Sequence, residues 1–113
     1  HEEILADLED FIETLLKANV TPILLSVPTY YEYNRYLDRS VLRNNQKAID
    51  RLCKKYHLRY LDLMDSDMFE KEDFYNGDHL NKKGARKLAG ILNNFIRDIE
   101  KKTGRRHLAR AAG

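Results

Sequence analysis

The 113-residue sequence has no tryptophan, one cysteine, two prolines and five glycines. Each scarcity excludes something. A lone cysteine, Cys53, cannot close an internal disulfide and cannot build a zinc site by itself. It stands beside Leu52 in a helical pattern and reads as a core thiol. With so little proline and glycine there is no low-complexity segment, and no internal repeat is visible. No apolar run approaches the ~18 residues needed to cross a bilayer. Excess charge of one sign is also lacking. The net value of +2 is too small to argue for a nucleic-acid partner.

What is present is an ordinary globular composition, 42% apolar and 34% charged. A chain of this length supports one core. The charges are placed unevenly. Residues 1–16 carry six acids and no Lys or Arg, which favours a helix N-terminus. Residues 101–110 carry five bases and no acid, which reads as a basic, flexible C-terminal tail over 104–113. The first residue is His rather than Met, so a chain cut from a longer one is expected.

Periodicity orders the rest. Ile4, Leu5, Leu8, Phe11, Ile12, Leu15 and Leu16 fall on one helical face. Val20 to Val27 is a short apolar run, a buried strand with Pro22 at its entry and Pro28 at its exit. Val41, Leu42, Asn45, Ala48, Ile49, Leu52 and Tyr56 mark a second helix, with Asp38 or Ser40 as its N-cap. Leu58 to Leu63 is a second strand. Met64 to Asn81 reads as a long loop rich in acids and aromatics. Ala85, Leu88, Ala89, Leu92, Phe95, Ile96 and Ile99 mark a third helix that Gly104 ends. The predicted order is α-β-α-β-α, an α/β class with parallel strands and right-handed crossovers. Sites in such sheets lie at the carboxyl ends of the strands, so Pro28–Tyr36 and Met64–Asn81 are expected on one edge. Two strands alone leave both outer edges bare, so further strands or another chain are expected to complete the sheet.

The chemistry concentrates in Phe74-Tyr-Asn-Gly-Asp-His-Leu-Asn-Lys-Lys-Gly-Ala85. His79 can act as a general base near neutral pH, and a carboxylate beside it could hold the ring's tautomer and stabilise the imidazolium. The bland reading is a loop histidine that only caps or packs. Asn81 can cap the following helix, and Gly84 permits close backbone approach. Tyr30, Tyr31, Tyr33 and Tyr36 could line an acyl or sugar pocket, or could cover the sheet edge; Tyr30 and Tyr31 come first after the strand. The acids Asp62, Asp65, Asp67, Glu70, Glu72 and Asp73 fail the EF-hand spacing, with no Gly at the sixth position. They read as a solvated loop, and no metal site is predicted.

The stretch Asp78-His-Leu-Asn-x-x-Gly-Ala-x-Lys87, followed by an amphipathic helix, resembles the C-terminal block of the SGNH/GDSL hydrolase superfamily. Pro22-Ile-Leu-Leu-Ser-Val-Pro-Thr-Tyr-Tyr31 is similar to the strand and loop that precede that block in bacterial envelope members. The resemblance covers about residues 15–100. It implies a partial flavodoxin-like three-layer α/β/α fold, with residues 1–103 as the C-terminal portion of the domain. It implies ester hydrolysis or acyl transfer by a serine, on acylated carbohydrate or lipid, with no cofactor, and suggests a cell-envelope or secreted setting. His79 matches the family's general base. The family's acid position, three residues earlier, is Asn76 here, and Asp78 is adjacent to the histidine. The Gly-Asp-Ser nucleophile block and the oxyanion-hole blocks are absent. Ser26 lies in a strand, Ser40 at a helix cap, and Ser66 lacks a Gly-rich turn, so the nucleophile is expected outside this chain. The rival expectation is a non-catalytic α/β module that self-associates, or binds a partner, through its open sheet edge.

Overall fold

A computed structural model describes residues 2–30, 37–76 and 79–104. The order is α1 (Glu2–Lys17), β1 (Ile23–Ser26), α2 (Arg39–Tyr56), β2 (Arg59–Asp62), a 3-10 turn (Lys71–Asp73), β3 (Phe74–Asn76), β4 (His79–Leu80) and α3 (Lys82–Thr103). The three helices and two parallel strands fall where periodicity places them. The stretch 64–81 is not one continuous loop, as the sequence suggests. It holds a 3-10 turn and an antiparallel hairpin, so the order becomes α-β-α-β-β-β-α. Strands of three and two residues are too short for an alternating pattern to register.

Helix ends are fixed by local chemistry. α1 closes on Asn19, which takes the left-handed conformation (φ 62°) usually left to glycine. Its N–H donates to the Leu16 carbonyl at 3.0 Å and that of Val20 to Leu15 at 2.9 Å, the paired bonds of a Schellman closure. The Asp38 carboxylate caps α2, accepting from the Ser40 N–H at 2.8 Å. His57, again left-handed at φ 57°, ends α2 and turns the chain into β2.

β1 and β2 pair in parallel with Leu24 opposite Tyr60 and Ser26 opposite Asp62. Leu24 packs on a cluster of Ile12 from α1 and Leu52 and Leu58 from α2 and its exit, with Leu8, Leu16, Cys53 and Tyr56 around it. One face of the sheet is therefore covered by α1 and α2. Tyr56 ties those helices together, its hydroxyl 2.6 Å from both Glu9 and Glu13. Pro28, Leu63, Ile96 and Ile99 supply the other buried apolar side chains among the described residues. Cys53 is half-buried, and burial pushes its thiol pKa up. No helix among the described residues is long and apolar enough to cross a membrane.

The ladder continues past the strands. The Leu63 N–H donates to the Ser26 carbonyl at 3.0 Å and the Thr29 N–H to the Met64 carbonyl at 3.3 Å. The two exit loops thus leave the sheet side by side.

Candidate functional site

His79 and Asn76 face each other across the hairpin as register partners. The Asn76 Oδ1 lies 2.8 Å from His79 Nδ1. Both residues are exposed. The amide oxygen only accepts, so a bond here requires a proton on Nδ1. Tyr30 comes to the same hairpin: its ring is 5.9 Å from that of Phe74, whose backbone pairs with Leu80. Tyr30 also lines a cleft of about 340 Å³ with Thr29, Asp65, Ser66, Asp67 and Phe69. Asp78, Tyr31, Tyr33 and Tyr36 lie outside the described residues, as does the tail from Arg105 onward.

None of the three serines sits in a glycine-rich turn. The Ser26 hydroxyl pairs with the Tyr60 hydroxyl. The Ser40 hydroxyl donates to the capping Asp38 at 2.8 Å. The Ser66 hydroxyl accepts from the Met68 N–H at 3.2 Å.

The Asn-x-x-Gly run beside the histidine has a structural cause. Asn81 caps α3, its side-chain oxygen accepting from the Gly84 N–H at 3.0 Å. Its amide nitrogen donates to the Glu72 carbonyl at 2.7 Å, and its backbone N–H to the Asp73 carbonyl at 3.0 Å. A Cβ on Gly84 would stand 2.2 Å from that same carbonyl oxygen. One glycine thus lets the helix start press against the 3-10 turn, and the hairpin carrying His79 is held between them.

Asp73 is where the sequence misleads. It reads as part of a solvated acidic loop, yet it is fully buried, while Asp62, Asp65, Asp67, Glu70 and Glu72 are exposed. Its Oδ2 accepts from the Glu70 N–H at 2.8 Å and from Lys87 Nζ at 2.6 Å. Lys83 Nζ stands 3.9 Å from Oδ1. The Glu70 bond, then Lys87, holds the Asp73 carboxyl below the usual carboxylate range. Lys87 also donates to the Met68 carbonyl at 2.9 Å and lies over the Phe69 ring. The available signal was the spacing of Gly84 and Lys87, which puts both on one helix face.

Among the described residues no three His, Cys, Asp or Glu side chains converge as a metal site would require. Comparison with family models, curated proteins and solved structures returned no match.

Proposed function

We propose that this chain is the histidine-bearing portion of an SGNH-like ester hydrolase or O-acyltransferase, with His79 as general base. The Asn76 Oδ1 to His79 Nδ1 contact of 2.8 Å carries the reading, because it favours the tautomer whose Nε2 can take a proton. In this scheme a serine hydroxyl from residues outside the chain attacks an ester carbonyl and passes its proton to Nε2. The tetrahedral intermediate collapses, the imidazolium returns the proton to the leaving alkoxide, and water or a sugar hydroxyl resolves the acyl-enzyme. Tyr30 would wall the acyl or sugar subsite, with Tyr31 beside it in sequence. The domain would be the flavodoxin-like α/β/α sandwich of that superfamily, with α3 as its third layer.

Asn76 orients the ring but cannot neutralise it, and a comparable exchange in a serine protease costs about 10⁴ in kcat. Asp78 is the nearest carboxylate in sequence. The test is hydrolysis of p-nitrophenyl acetate by the full-length natural protein. His79→Ala is expected to lower kcat/KM by about 10²–10⁴. Asn76→Asp is expected to raise kcat. Unchanged turnover in His79→Ala overturns the reading.

A second reading is a non-catalytic module that pairs through its sheet edge. The observation favouring it is a two-stranded parallel sheet with no third strand among the described residues.

A further inference from the structure

A second cleft, also about 340 Å³, opens beyond the carboxyl ends of β1 and β2 on the side covered by α2. It adjoins the Tyr30 cleft, and Asp65 lines both. From this second cleft we infer a binding site for a small neutral polyhydroxylated solute, of monosaccharide size. Such a site stands apart from the ester-hydrolase reading and needs neither His79 nor a serine nucleophile.

Ligands of open α/β sheets bind outside the carboxyl ends of parallel strands, and a volume near the lower end of ligand pockets suits a small molecule. The lining is equally suited. Donors come from α2: the side chains of Arg43 and Asn45 make no hydrogen bond or ion pair among the described residues. Acceptors come from the strand ends. One oxygen of Asp62 takes the Met64 N–H at 3.1 Å, which leaves the other available to the cleft. Gln46 gives its amide N–H to Asp50 at 2.8 Å, and its carbonyl oxygen keeps its accepting capacity. Ser26 and Tyr60 satisfy one another at the sheet, so ligand entry strands no hydroxyl there. Ile49 and Met64 add apolar surface.

Charge selects among polar ligands. One guanidinium, that of Arg43, stands with the open carboxylate oxygen of Asp62. An anion meets the Asp62 carboxylate and a cation meets Arg43. A hydroxyl both donates and accepts, so a neutral polyol can use the Asp62 carboxylate, the amides and the guanidinium together.

The test titrates the ¹⁵N-labelled chain with D-glucose, D-galactose and D-mannose, with glucuronate and glucosamine as charged arms. The expected result is a set of amide shifts at Ser26, Arg43, Gln46 and Asp62 for at least one neutral sugar. Its dissociation constant should be on the order of millimolar, as befits a ligand of so few atoms. Arg43→Leu and Gln46→Leu should each weaken it by about tenfold. Shifts confined to other residues, or none from any neutral sugar, overturn the site. Tighter binding of glucuronate or glucosamine than of every neutral sugar overturns the ligand class. The shift map of the parent chain is decisive by itself, so the site stays falsifiable even where a variant fails to fold.

Discussion

Gly84 has no room for a side chain. The position a Cβ would take is 2.2 Å from the Asp73 carbonyl oxygen and 2.8 Å from Leu80 Cδ2. The first neighbour is backbone, so relief requires the helix and the 3-10 turn to part. Gly84→Ala should destabilise the protein by about 3 kcal/mol, read from the urea midpoint. Asp73 makes the complementary case. Its partner Lys87 keeps a 30% exposed side chain, whereas the carboxylate has none. Lys87→Met removes the closest cation and leaves a buried charge, at a cost of about 3 kcal/mol. The pH dependence follows from the lowered carboxyl pKa. Stability from this group is fully present above the unfolded carboxyl value of about 3.9, and is lost as pH falls through the lower folded value. Lys87→Met should therefore move the acid-unfolding midpoint upward, as followed by circular dichroism.

At the scale of elements, α3 owes its start to one side chain. Asn81 satisfies the Gly84 N–H and also reaches back to the Glu72 carbonyl, so a single residue is both helix cap and hairpin clasp. Asn81→Ala is expected to cost about 1–2 kcal/mol, and Asn81→Asp less, because a carboxylate keeps the cap while losing the donor. Amide exchange should separate the two losses. The alanine variant exposes both the first turn of α3 and residues 73–80. The aspartate variant exposes mainly 73–80. The Asp-His-Leu-Asn-x-x-Gly pattern therefore has a mechanical content independent of catalysis, since two of its residues seat the hairpin on which a third, His79, is displayed.

Across the whole molecule the core is thin. Seven apolar side chains, Pro28 included, are buried among the described residues, while Ile4 and Phe11 on α1 are 70% and 61% exposed. Both strands of the parallel pair present an outer edge that no described strand covers. Bare edges and exposed apolar side chains favour association. Light scattering on the chain is expected to show a dimer or larger species that grows with concentration. A strict monomer across that range would remove the edge-pairing reading and leave the ester-hydrolase reading untouched.

Sequence by itself determined the three helices, the two parallel strands and the edge from which their loops emerge, because periods of 3.6 and runs of buried apolar residues are local signals. It also determined the Asn81 cap and the need for a small residue at position 84. Only tertiary structure decided the hairpin, the burial of Asp73 against Lys87 and the contact of Tyr30 with Phe74. The last two depend on pairs fourteen and forty-four positions apart along the chain. An acid in a charged loop looks alike whether water or a lysine meets it, and only packing distinguishes the two.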